Sequence, residues 1–242
     1  KLVQGADGQF RPKDNTTRAE AAAMIYSMLN YLENGAESGT DTESGTDAES
    51  DTDTSEAAEL KETIAALTGV EVQLPAGDDQ TVTKAQFITA AVALFNSGAY
   101  DEQQLSFTDV PSDSELYPVL ARAVAMGMVP DGAAFNPENP VTLAACARIL
   151  STAAGYGVKA ELMGAADSDY ISAATDAGIF KNISTGTGRL TVRDALHALW
   201  NTLNADMLTM RAVGNNVEYT AEKGKTVLSE LYDVYYVDGV FN

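Results

Sequence analysis

Apolar residues recur at three- and four-residue intervals over 21–32, 59–67, 85–95, 117–126, 143–154, 171–177 and 193–203, and each window predicts an amphipathic helix. Between paired windows lie loops of roughly a dozen residues rich in Gly, Pro, Asn and Asp, and loops of that length in a compact protein pack or bind something. The pairs also resemble one another. In three of them a glycine closes the first helix and a threonine opens the second: Gly69 and Thr83, Gly127 and Thr142, Gly178 and Thr191, separated by 14, 15 and 13 positions. Such constancy predicts a mainly α repeat architecture, in which copies too small to fold alone bury one another's faces. Residues 207–242 leave this pattern: 217–220 and 235–241 read as short strands and 226–231 as a helical turn, a small α/β segment that connects to, or begins, a following domain.

One stretch cannot contribute to any core. Residues 37–54 read ESGTDT, ESGTDA, ESDTDT, with no apolar residue larger than alanine, and behave as a solvated, self-repelling linker. Its oxygen-only side chains leave Ca²⁺ open as an occupant and its hydroxyls leave O-linked sugar open, although the ligand order of an EF-hand loop is missing. The chain as a whole carries a formal charge of −20, which opposes nucleic acid and anionic membrane as direct partners. No apolar run approaches the about 18 residues of a membrane span.

Catalytic chemistry finds no foothold. The single histidine, His197, sits on a helix window with no cysteine or second histidine to complete a metal set, which favours a structural role. The single cysteine, Cys146, excludes an internal disulfide and reads as a small buried core residue more readily than as a reactive thiol. Gly-x-Ser-x-Gly, phosphate-loop and His-Glu-x-x-His patterns are all missing, and no cofactor is implied. The chain is therefore read as a binding or structural protein, not an enzyme.

The most specific segment lies near the start. Gly5, Phe10, Arg11 and Pro12 precede Thr17-Arg18-Ala19-Glu20, in which Thr17 suits a helix N-cap and Glu20 the third helical position, a capping box. A second copy opens Phe107-Thr108-Asp109-Val110-Pro111 and continues through Gly127, Phe135, Pro137 and Thr142. These motifs resemble the S-layer homology family. The resemblance implies two-helix repeats packed as a pseudo-threefold cluster with binding grooves between neighbours. It also implies an exported, extracellular module at the bacterial cell wall or surface, docked non-covalently on secondary cell-wall polysaccharide.

On that resemblance the chain divides into a partial repeat (1–34), the acidic linker (35–57), a degenerate repeat (58–106), a fuller repeat (107–157), a second degenerate repeat (158–206) and the C-terminal segment (207–242). The first copy begins at its own middle, and Lys1 and Leu2 open on a loop without the charged start and apolar core of a signal peptide, so the chain reads as a mature or truncated fragment of a longer exported protein.

Arg18 matches the family's ligand-contacting arginine, whose guanidinium can fork onto the acidic ketal groups of the wall polymer. Thr17, Glu20 and Arg11 share its loop. In the sister copies Lys84 keeps the charge without the fork, Leu143 keeps neither, and Arg193 is displaced by one position. The candidate polysaccharide-binding residues are thus Thr17, Arg18, Glu20, Arg11, Lys84 and Arg193. Loss of the arginine from the other copies supports an alternative, in which the repeats are packing units of a surface layer, filament or appendage that assembles with itself or with other surface proteins.

Overall fold

A computed structural model describes residues 55–96, 98, 104–183, 188–213 and 216–236. The chain divides into two compact units, Lys1–Asp53 and Thr54–Asn242, and the described residues belong to the second. Helix window 21–32, the acidic tract and the segment around Arg18 lie outside them.

Eight helices and one hairpin are described. The first two pairs follow the repeats: α1 (Glu56–Thr68) and α2 (Lys84–Phe95), then α3 (Leu116–Ala125) and α4 (Leu143–Ala153). A short α5 (Gly157–Met163) leads to α6 (Asp167–Asp176) and α7 (Val192–Leu203). Gly69, Gly127 and Gly178 follow the first helix of each pair in left-handed conformation, at φ 69°, 74° and 76°, where a side chain would be strained. Each second helix starts on its threonine: Thr83, Thr142 and Thr191 accept from the backbone N–H three residues on. Gln86 and Asp194 return the bond to complete capping boxes, whereas Ala145 cannot.

The three helix starts are joined in a ring. Val82 N–H donates to the Leu190 carbonyl at 3.1 Å, Leu190 N–H to Val141 at 3.4 Å, and Val141 N–H back to Val82 at 2.9 Å. A second ring lies beside the first: Lys84, Leu143 and Val192 donate to the carbonyls of Asn139, Gly188 and Gln80. These donors are first-turn amides that a helix cannot satisfy internally, so each copy completes the N-terminus of another. The side chains of Val82, Val141 and Leu190 are buried at the same place, as are Phe87, Cys146 and Ala195 at the fourth helical position, the arrangement of a hydrophobic staple. Cys146 is thereby explained as a core residue, and burial, with Asp194 nearby, pushes its thiol well above the ordinary range.

Helix packing follows the same circular order. The first helix of each copy packs on the second helix of another: α3 on α2, α6 on α4, and α1 on α7. The last of these contacts closes the circle, while α4 also packs on both α2 and α7. No copy relies on its own two helices alone.

The chain then forms β1 (Asp206–Val213) and β2 (Asn216–Thr226), paired antiparallel with Leu208 opposite Ala221 and an irregularity next to Asp206, followed by α8 (Val227–Tyr232). This segment is anchored to the repeats. Val227 and Leu228 are buried in the common core, Tyr232 Oη donates to the Leu94 carbonyl at 2.7 Å, and Leu208 N–H to that of Ala154 at 3.1 Å.

Four features differ from the sequence reading. β1 and α5 were not expected: β1 lacks clean alternation, and α5 begins on a glycine. α6 begins at Asp167 instead of 171, because the Asp169 carboxylate accepts from Ala166 N–H at 3.0 Å and starts the helix ahead of its apolar residues. Tyr235 and Tyr236, read as a strand start, are irregular, and 237–242 lie outside the described residues.

Leu190→Ala should lower stability by about 2–5 kcal/mol in denaturant unfolding, whereas Leu162→Ala, at a side chain 70% exposed, should stay within about 0.5 kcal/mol. Comparable losses would refute a stabilising role specific to the ring. Gly155→Ala tests hairpin docking. Gly155 has φ 82°, and an added Cβ would meet the Leu208 carbonyl oxygen at 2.6 Å. Weakened amide-exchange protection of Leu208 is expected, and unchanged protection would contradict the contact.

Candidate binding groove

Lys84, the first residue of α2, reaches away from its own copy. Its ammonium donates to the Phe135 carbonyl and lies 4.5 Å from the centre of the Phe135 ring, a cation–π distance. Burial pushes its pKa down and Asp109 pushes it back up, leaving it below the ordinary lysine value. The ammonium stands at a cavity of about 160 Å³ between α2 and the 128–135 loop, walled chiefly by Phe107, Met128, Pro130 and Phe135.

The Phe-Thr-Asp-Val-Pro motif builds this wall. Asp109 accepts from the N–H groups of Phe135 at 2.9 Å and Asn136 at 2.6 Å, and Thr108 pairs with the Ala133 carbonyl through both N–H and hydroxyl. Asp131 does the reverse, accepting from Ser106 N–H and hydroxyl and from Gly132 N–H. Phe107 meets Phe135 edge to face, with centroids 5.8 Å apart. The loop is therefore pre-set, and a ligand entering the cavity need not order it.

At the corresponding position of the next copy stands Leu143, which brings no charge. Arg193 is differently engaged. Its guanidinium pairs with Asp78 at 3.2 Å, Glu56 at 3.4 Å and Asp79 at 3.6 Å. Asp78 is held below the usual carboxylate range: burial opposes this, but Ser55, Arg193 and the Ala57 N–H outweigh it. Glu56 also meets His197 Nε2 at 2.9 Å. His197 and Arg193 thus clip the start of α1 to α7, a structural use of both side chains at the closing contact. Lys84 and Arg193 belong to separate junctions, and Thr17, Arg18, Glu20 and Arg11 lie outside the described residues.

The sequence reading passed over Arg148. It sits in α4 and lines the Lys84 cavity, with its guanidinium 4.5 Å from the Tyr170 ring centre. The only sequence signal is a charge interrupting the apolar run from Leu143 to Leu150, which also fits a solvated helix face.

A closed set of helix pairs joined through capped N-termini defines a helical repeat protein. The model of the S-layer homology domain family matches residues 1–22, the segment containing Thr17, Arg18 and Glu20, so the chain carries a segment similar to an S-layer homology domain. Domains of this family bind cell walls and are not catalytic, which places the chain at the cell surface or wall. No curated protein matches the chain. Among the described residues no helix is long and apolar enough to cross a membrane, and no group of three or more His, Cys, Asp or Glu is placed to hold a metal ion.

Acid should loosen the groove wall. Asp109 is held below 3.8 first by Phe135 N–H and then by Asn136 N–H, and Asp131 first by the Ser106 N–H and hydroxyl. Their stabilising effect is complete above the unfolded carboxylate value and is lost as pH falls through the depressed folded values. Melting temperature should therefore drop from about pH 5 to about pH 2, and Asp109→Asn should lower it at neutral pH while flattening that drop. An identical pH profile for the variant would rule out this contribution.

Proposed function

We propose that the protein anchors a larger exported polypeptide at the cell surface by binding secondary cell-wall polysaccharide, with Arg18 and Lys84 as the principal contacts. The carrying observation is that the capping-motif cation, carried by Arg18 in the family-matched segment, recurs at Lys84 and there opens onto a pre-set cavity. Thr17 and Glu20 would fix the helix start from which Arg18 projects, and Arg11 would add charge to the same loop. The rings of hydrogen bonds support reading the three copies as the pseudo-threefold cluster that the resemblance implies.

A second reading, a packing subunit of a surface layer or filament, is favoured by one observation: Leu143 and the carboxylate-bound Arg193 leave two junctions without a capping-motif cation open to a ligand. Retention on purified wall sacculi separates the two. Arg18→Ala and Lys84→Met should each reduce retention by about tenfold, the scale of one charge-assisted hydrogen bond. Undiminished retention in both variants, with sedimentation of the protein as polymer, would transfer the case to assembly.

A further inference from the structure

The inner strand of the hairpin is held against the repeats along its outer edge. In β1, Leu208 donates its N–H to the Ala154 carbonyl at 3.1 Å, and a Cβ at Gly155 would come within 2.6 Å of the Leu208 carbonyl oxygen. The outer edge of β1 therefore faces the Ala154–Gly155 turn. β2 has no such cover: among the described residues the sheet has two strands, and every residue from Glu218 to Gly224 is exposed.

The register states which backbone groups point away. Because Leu208 directs its N–H outward, its pair with Ala221 is a non-hydrogen-bonded one, and the two kinds of pair alternate along an antiparallel ladder. Glu218 and Thr220 therefore exchange bonds with β1, while Val217, Tyr219 and Ala221 direct N–H and C=O outward. Among the described residues no group bonds to the backbone of Tyr219 or Ala221 on that side.

An open edge of this kind is a template for another strand. At its base the edge is blunted: between the Leu208–Ala221 and Asp206–Thr226 pairs β2 carries four residues against one in β1, and Gly224 N–H turns back to the Asp206 carboxylate at 2.8 Å. From Val217 to Ala221 the ladder is regular and no such break protects it.

Charge decides what fits there. Consider β2 of a second copy laid antiparallel along the edge, with its outward residues against Val217, Tyr219 and Ala221. Centred on Glu218, the contact sets Glu218 against Glu218; centred on Thr220, it sets Glu218 against Glu222 twice, and like charges directly opposite are destabilising. Centred on Tyr219, no like charges lie opposite. Glu218 then accepts from the Thr220 hydroxyl of the other copy, Tyr219 meets Tyr219, and Val217 and Ala221 exchange backbone bonds. The edge is complementary to itself in this register.

We propose that β2 is a self-pairing edge, through which two copies of the chain join in an antiparallel contact centred on Tyr219 and extend their hairpins into a four-stranded sheet. The contact is small, so it is weak between free chains and gains from many copies held on one surface. A formal charge of −20 on each chain opposes approach over long range, and salt relieves that repulsion. The inference is independent of the wall-binding reading and holds whether or not the groove takes a glycan.

Sedimentation equilibrium of the full 242-residue chain at millimolar concentration tests it. A reversible dimer is expected, tightening as NaCl rises from about 0.05 M to about 0.5 M. Tyr219→Pro removes an outward N–H without touching a bond to β1, and should weaken the dimer by about tenfold through loss of two symmetry-related bonds. Amide-exchange protection of Leu208 should persist in that variant, as the sign of an intact hairpin. Disulfide trapping checks the register, because Cys146 is buried and leaves introduced thiols to report alone. A mixture of Glu218→Cys and Thr220→Cys chains should oxidise to the mixed dimer faster than either variant by itself, since the two positions lie about 4.5 Å apart across a non-hydrogen-bonded pair.

A chain that stays monomeric at high salt overturns the proposal. So does a dimer undiminished by Tyr219→Pro, which places the contact elsewhere, as at the exposed Val158, Leu162 and Met163 of α5. Equal trapping in the mixture and in the separate variants overturns the register. Should Tyr219→Pro lose protection at Leu208, the trapping experiment decides alone.

Discussion

Everything in the described unit depends on three backbone hydrogen bonds that run in a circle, from Val82 to Leu190, from Leu190 to Val141 and from Val141 to Val82. Each is an ordinary bond worth about 1 kcal/mol net. Their force is geometric, since they fix three helix starts against one another around three buried side chains, each contributing about 1.5–3 kcal/mol by burial. Once the starts are fixed, the direction of every second helix is fixed, and with it the surface on which another copy's first helix lies. The groove is a by-product of this arrangement. Lys84 leaves its helix at the first position after the ring, where the neighbouring loop is also held, so the ammonium and its wall share one reference point.

The capping motif consequently has two separable duties. Its threonine and third-position partner start a helix, and all three described copies retain the threonine bond even where the partner is lost. The residue between them is free to vary, because its backbone N–H does the structural work whatever the side chain. Lysine, leucine and valine at 84, 143 and 192 make the same ring bond, and only lysine brings chemistry to the junction.

Much of the fold was legible because helix pairs, closing glycines and capping threonines are local signals, read within a few residues of each other. The parts that escaped depend on distant partners. Nothing near Arg193 in sequence announces Asp78, which reaches it only because α1 closes onto α7. Nothing near Arg148 shows that it lines the same cavity as Lys84. The start of α6 was obscured by the opposite effect, acidic residues that begin a helix electrostatically where apolar periodicity has not yet set in. β1 has no amphipathic face of its own and is specified by β2 and by the Ala154 carbonyl.

The closing contact has a mechanical consequence for an anchor. Tension along the polypeptide enters this unit near Ser55 and leaves beyond Tyr232, and the helices at those two ends, α1 and α8, pack on each other and both on α7. A pull therefore loads this three-helix clasp, with its Glu56, Arg193 and His197 pairs, and also reaches α2 through the Tyr232 bond to Leu94. Lys84, at the other end of α2 from Leu94, stands away from the point at which that load arrives.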